Sequence, residues 1–237
     1  MTRKVGRVTV AEEFLLLAYR DDTGKPRIGG TQLNAALAGA AIVELTLAGA
    51  LRLTEADEPG HKKGRLIATG TQPDDPRLAE LVAVADGRTP KVAVGKVAGF
   101  GGWRNPSQNL REALLHDLAD AGHLTAATTK TLGLFATTTW TPNATGDKPA
   151  IERRVRAAVV DGATPDDRTA ALISILHAVD LLPKLFPDAG KRALKRRGKE
   201  ISDSEWGGPA VRKAVQEVQA VTVAVIVATT SVTTSGS

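Results

Sequence analysis

Cysteine is absent from the 237 residues. This excludes disulfides, thiolate metal ligands and a cysteine nucleophile, and it fits a reducing compartment. Aromatic residues are scarce: three Trp, one Tyr and four Phe. The core is therefore expected to rest on Leu, Val, Ile and Ala, a composition that suits helices packed closely through small side chains. The longest apolar stretch near the C-terminus, AVTVAVIVATT at 220–230, falls short of the roughly 18 residues a spanning helix needs and reads as a core element. The opening MTRKVGRVTV carries basic residues but no apolar stretch, so no secretory signal is expected. No Ser stands in a G-x-S-x-G context and no His–Glu spacing suits zinc, so neither cofactor nor metal is expected.

What is present is a modest positive charge, +5, with a pI near 9.6. It favours anionic partners: phospholipid head groups, nucleic acid or acidic peptide tails. Along the chain, Thr9 and Glu12 have the spacing of a capping box that opens a short helix with Phe14, Leu15 and Leu17. After a Gly/Pro-broken loop, the stretch from Thr31 to Ala48 is apolar nearly all round and predicts a buried helix, with Gly49 at its left-handed cap. An internal echo follows. "AAIVELTLAGALRL" is helix, Gly49, then Leu51; "LREALLHDLADAGHLT" is helix, Gly122, then Leu124. Each continues into a hairpin and a further helix. In the second unit "AATTK" reads as the turn. Leu110, Leu114 and Leu118 form the core stripe of the helix that Asn105 caps and Pro106 starts. Thr164 and Pro165 predict the start of another helix and Pro183 its end. Residues 1–7 are expected to be flexible, 8–230 to form the domain, and 231–237 to be a disordered tail.

The glycines of "AGFGGWRN" form neither a P-loop nor a dinucleotide fingerprint. His177 and Asp180, at i,i+3, have the spacing of an acid–base pair, but the plainer reading is a buried structural histidine, and no nucleophile accompanies them. More informative is "GWRNPSQNLRE", where Trp103 and Arg104 precede a helix start and Arg111 lies one and a half turns in. A helix N-terminus favours an anion, and arginine adds bidentate donors. Lys191, Arg192, Lys195, Arg196 and Arg197 form a cationic cluster, either a solvated face or a contact with anionic membrane. Trp140, in "TTTWTPNATGDKP", is read as the apolar tip of a turn, with a membrane interface or an inward contact open to it.

Five stretches carry a resemblance: "LTLAGALRL" after "AAIVE", "NLREALLHDLADAGHLT", "LFATTTWTP", "IERRVRAAV" and "ALISILHAVDLLPKLF". In this order, over roughly 8–230, the chain resembles the Golgi phosphoprotein family. The Ala- and Arg-rich composition suggests a bacterial member. The resemblance implies a mainly α fold: one globular helical domain around a buried C-terminal apolar helix, with two protruding β-hairpins. It also implies a non-enzymatic peripheral membrane protein that binds phosphatidylinositol 4-phosphate. The family's lipid pocket uses a Trp and an Arg on the first buried helix and an Arg pair on the helix matching "QNLRE". Here those positions fall on Gly30, Ala38, Gln108 and Arg111, so Arg111 alone keeps the family's residue type. Arg27, Arg104 and Trp103 lie close enough in sequence to rebuild an anion site. The family's use of the second hairpin implies a homo-oligomer through residues 132–149.

The expected protein is thus a cytoplasmic adaptor at the inner membrane face, binding an anionic, phosphoinositide-like phospholipid. Arg111, Arg104, Trp103, Arg27 and Gln108 would meet the lipid phosphate; Trp140, Lys191, Arg192, Lys195, Arg196 and Arg197 would meet the membrane. No nucleic acid is expected on this reading. The alternative is a winged-helix-like DNA-binding protein, since helix–Gly–hairpin is also that motif's grammar.

Overall fold

A computed structural model describes residues 8–55, 58–73, 75–99, 106–131, 135–204, 213, 215–220 and 224. Short helices wrap one long apolar helix. That helix, α2 (Gly30–Leu47), is rich in Ala and buried on nearly every face. Around it stand α1 (Val10–Ala18), α3 (Pro76–Ala85), α4 (Pro90–Val97), α5 (Pro106–Asp120) and α7 (Asp167–Ala178). The outer layer adds α6 (Lys148–Val159), α8 (Leu182–Leu185), a 3-10 turn at Pro187–Ala189, and α9 (Lys191–Asp203). The fold is mainly α, with two separate antiparallel hairpins. Part of the expected C-terminal apolar helix is described: residues 215–220 are helical, with Val215 and Val218 fully buried. The remainder of that helix, the tail and residues 1–7 lie outside the described residues.

The capping box forms as the spacing predicts. Glu12 N–H donates to Thr9 Oγ1 and the Glu12 carboxylate accepts from Thr9 N–H at 2.6 Å. The residues of α1 are buried all round, including Glu13. A carboxylate sealed there needs partners, and Arg154 of α6 and Arg168 of α7 supply them. Burial pushes the Glu13 carboxyl above its ordinary range, while the two guanidinium charges pull it back. Arg168 also reaches Glu44 of α2 at 3.3 Å, and Glu44 accepts from Val10 N–H at 2.6 Å. One ionic network therefore ties α1, α2, α6 and α7 at one end of the core.

The internal echo is structural as well. At the end of α2, Gly49 (φ 71°) lets Ala50 N–H reach back to Leu45 O at 2.8 Å. At the end of α5, Gly122 (φ 79°) lets His123 N–H reach Leu118 O at 2.8 Å. Both are left-handed helix caps that release the chain directly into a strand. The first hairpin, β1 (Leu51–Leu53) and β2 (Leu66–Ala68), lies against α2 and α3 with its leucines buried. The second, β3 (Leu124–Thr131) and β4 (Phe135–Pro142), stands out, and Thr125–Thr129, Thr137 and Thr138 are exposed.

Three local expectations are corrected. "AATTK" is strand, not turn: its threonines pair across to β4, as Thr128 does with Thr138. The connection falls at 132–134, outside the described residues. The cap of α7 is Asp166, whose carboxylate accepts from Thr169 N–H at 2.7 Å, so the helix starts two residues later than Thr164–Pro165 predicts. Pro183 lies inside the first turn of α8, where its missing N–H costs nothing. The preceding helix has already ended at Ala178, before a reversal at Asp180 (φ 53°).

Candidate anion site at the start of helix α2

The loop from Tyr19 to Gly29 joins α1 to α2 and is fastened from several sides. Its two arms meet in a bridge between Tyr19 and Pro26. Gly24 turns the loop with φ 60°, and its carbonyl accepts from Trp140 N–H at 2.8 Å. Lys148, at the start of α6, is 3% exposed and donates to Tyr19 O at 3.2 Å and to Asp21 Oδ1 at 2.6 Å. Asp21 also meets Arg27 at 3.3 Å. Lys184 of α8 donates to Arg27 O at 2.9 Å. The contacts made by Lys148 and Lys184 span 127 to 157 residues of sequence, which is why no local pattern announced them.

Beyond the loop, α2 begins at an N-cap, Gly29, that offers no side-chain hydrogen bond. The backbone donors of a helix's first turn have no intrahelical acceptor, so such an end carries partial positive charge. Into this region α5 sends Arg111. Its Nη1 donates to Asn34 Oδ1 at 2.8 Å, which fixes the guanidinium beside the opening turns of α2. Tyr19, the residue that ends α1, is 5% exposed. Burial pushes its phenol above the ordinary range, with the Arg111 charge opposing and Glu112 reinforcing. Gln108, exposed on the same helix, gives its amide to Glu112 at 3.2 Å.

The expected site residues divide accordingly. Arg111 and the start of α2 are brought together. Arg27 is held by Asp21 in the neighbouring loop, and its Nε is buried without a partner. Trp103 and Arg104 lie outside the described residues. Gly30 is exposed at the first turn, whereas Ala38 is fully buried, so no side chain at 38 reaches a surface site. Tyr19, Asn34 and Lys148 are the residues the sequence reading missed.

Trp140 corrects the expectation of an apolar tip. It pairs with Ala126 near the foot of the ribbon, is 7% exposed, and presents its ring edge-on to His116 of α5 at 4.9 Å. An indole so enclosed closes the seam between hairpin and body and cannot enter a bilayer. The cationic cluster lies in the first half of α9, which packs on α6, α7 and α8, whereas α5 packs on α1, α2, α4 and β3. Lys191, Arg192, Lys195 and Arg196 are exposed. Acidic neighbours partly offset them: Asp180 meets Lys195 at 3.0 Å and Lys191 at 3.8 Å, and Glu200 meets Arg196 at 3.6 Å. Arg197 is turned inward, its Nε donating to Ala158 O at 3.1 Å. The cations therefore form a group separate from Arg111, joined to it by no described contact.

His177 packs against Gly198 of α9, where an added Cβ would lie 2.9 Å from the ring Nδ1. Burial lowers the His177 pKa. Asp180 faces lysines instead of accepting a described hydrogen bond from His177, which agrees with a structural histidine. Among the described residues no group of His, Asp and Glu could hold a metal ion.

The class the fold defines is a mainly α domain of packed helices with two hairpins, here with an arginine held at an uncapped helix start. The family model described as Golgi phosphoprotein 3 (GPP34) matches residues 10–218, and the chain belongs to that family. It is a non-enzymatic, adaptor-type family whose members associate peripherally with membranes. Among the described residues no helix is long and apolar enough to cross a membrane.

Proposed function

We propose that this protein docks on membranes by binding the phosphate of an anionic, phosphoinositide-like phospholipid at the start of α2, from the cytoplasmic side. The observation that carries the reading is the Arg111–Asn34 contact, which holds a guanidinium at an N-terminal turn that no side chain caps. Helix donors and guanidinium act on the same charge: the first supply fixed N–H groups, the second a planar pair of donors. Exposed Lys191, Arg192, Lys195 and Arg196 add attraction that is felt within about a Debye length of the surface. Trp140 takes no part, and docking is electrostatic, without an inserted indole.

The test is co-sedimentation with phosphatidylcholine vesicles with and without anionic lipid. Binding is expected only with the anionic lipid, to fall as salt rises, and to weaken in Arg111→Ala. Equal sedimentation with neutral and anionic vesicles would remove the proposal.

A further inference from the structure

We infer that the cations at the first hairpin, with Val92 beside them, form a second docking surface, which takes an acidic, extended segment of a soluble protein. The basic arm of the hairpin is held in place. Thr54, 1% exposed, donates its hydroxyl to Lys62 O at 2.7 Å and accepts from Arg65 N–H at 2.8 Å, so one side chain fixes the stretch carrying Lys62 and Lys63. The turn before α4 is fastened to the same arm. Leu66 N–H donates to Arg88 O at 2.7 Å, and Arg65 Nη1 donates to Gly87 O at 3.1 Å. Arg88 leads through Thr89 into α4, where Lys91 and Val92 are exposed. Lys62, Lys63, Arg65, Arg88 and Lys91 therefore gather along one edge of the fold.

The nearby acids are engaged elsewhere. Glu58 meets Arg52 of β1 at 2.9 Å, and Glu55 stays on that side, its N–H donating to the Glu58 carboxylate at 3.3 Å. Asp86 accepts from Ala68 N–H at 2.8 Å. No described carboxylate pairs with the gathered cations, and Arg65 and Arg88 give their described hydrogen bonds to neutral carbonyls. An unopposed positive patch raises the local concentration of a negatively charged partner and steers its approach. Val92, 44% exposed, is the large hydrophobic left uncovered among the described residues. A lone exposed valine is ordinary by itself. Set among cations, it offers the apolar contact that a peptide side chain fills and a bare phosphate does not use. The hairpin begins past the last turn of α2, whose 18 residues span about 27 Å. That is several screening lengths of about 8 Å at physiological salt, so the patch and the proposed lipid site act independently. The choice of a soluble partner over a second lipid contact rests on docking at the start of α2. With a lipid at one end of that helix and an acidic segment at the other, the protein links a bilayer to a partner.

The experiment titrates the full chain into a labelled peptide of repeated Glu-Glu-Leu and follows fluorescence anisotropy. It compares wild type, the triple variant Lys62→Gln/Lys63→Gln/Lys91→Gln, Val92→Ser, Arg111→Ala, and an α9 variant with Lys191, Arg192, Lys195 and Arg196 changed to Gln. The altered side chains of the hairpin and α4 are exposed, so the melting temperatures of those variants should equal that of wild type. The triple variant should bind the peptide about tenfold more weakly, the combined worth of its exposed charge pairs. Val92→Ser should bind about threefold more weakly. Arg111→Ala and the α9 variant should bind the peptide as wild type does. Equal loss in the triple and α9 variants would mean non-specific attraction and overturn the inference. Wild-type affinity in the triple variant or in Val92→Ser, or tighter binding to duplex DNA than to the peptide, would overturn it too. In parallel, phosphatidylcholine vesicles with anionic lipid at physiological salt should sediment the triple variant as they do wild type. Loss of that sedimentation would assign the patch to the membrane and overturn the soluble partner. If vesicles fail to bind wild type while the peptide binds through Lys62, Lys63 and Lys91, the lipid reading falls and this surface stands.

Discussion

Replacing Gly24 by alanine should unfasten the second hairpin from the α1–α2 loop. The backbone there has φ 60°, so a Cβ is strained wherever it points; the left-handed conformation costs about 1–2 kcal/mol. The space is also occupied: the new methyl would sit 2.8 Å from Thr141 Oγ1, 3.0 Å from Trp140 N and 3.1 Å from Thr139 Cβ. Backbone cannot step aside as a side-chain end can, and overpacking of this kind costs about 1–3 kcal/mol. Loss of glycine's freedom in the unfolded chain returns about 0.4–1 kcal/mol. The net is about 2–4 kcal/mol, which lowers the melting temperature of a domain this size by about 5–15 °C. Gly60 supplies the control, because it too has positive φ, 79°, but nothing lies within 4 Å of an added Cβ. Gly60→Ala should lose only the conformational part, about 2–4 °C. Thermal unfolding followed by circular dichroism measures both. Equal shifts in the two variants would refute the close approach of loop and strand.

Stability should also depend on His177. Burial lowers its pKa, so the folded state disfavours the charged ring. Its neighbours, Asp180 on its own side and Lys195, Lys199 and Asp203 on α9, include two carboxylates already engaged by lysines. The unfolded state takes up the proton first, near pH 6.5, so this contribution is intact above that pH and is lost as the pH falls below it. Urea midpoints between pH 7.5 and 5.5 should fall in wild type and fall less in His177→Gln; parallel profiles would contradict the burial argument. Trp140, isolated by Trp103→Phe and Trp206→Phe, should emit as a buried indole, resist acrylamide, and show no blue shift on adding anionic vesicles. A shift on vesicle binding would restore it to the membrane face.

Signals confined to a few residues were legible in the chain. Thr9 and Glu12 fold as a cap because both partners lie within one turn. Gly49 and Gly122 mark helix ends because only a left-handed residue lets the next N–H reach back. What the chain concealed is set by distant parts. Trp140 reads as a tip because Asn, Gly and Pro follow it, yet those residues make the exit from the strand's foot, His116 meets the indole, and the Gly24 carbonyl holds the Trp140 backbone. The threonines of "AATTK" carry turn and strand tendencies alike, and pairing with β4 decides for strand. Lys148 gave no sign of burial, because Asp21 and the Tyr19 carbonyl reach it only after α1 and α6 have packed. Arg111 was legible as a helix-start arginine, but its partner Asn34 stands 77 residues away.

The most direct measurement is the dissociation constant for phosphatidylinositol 4-phosphate bilayers at two salt concentrations. It compares wild type, Arg111→Ala, and a variant with Lys191, Arg192, Lys195 and Arg196 changed to Gln. Loss of a charge-assisted pair at the head group should weaken Arg111→Ala about tenfold or more at both salts. The α9 variant should lose affinity at low salt and approach wild type at high salt, as long-range attraction does. Wild-type affinity in Arg111→Ala at both salts would contradict a phosphate held at the start of α2.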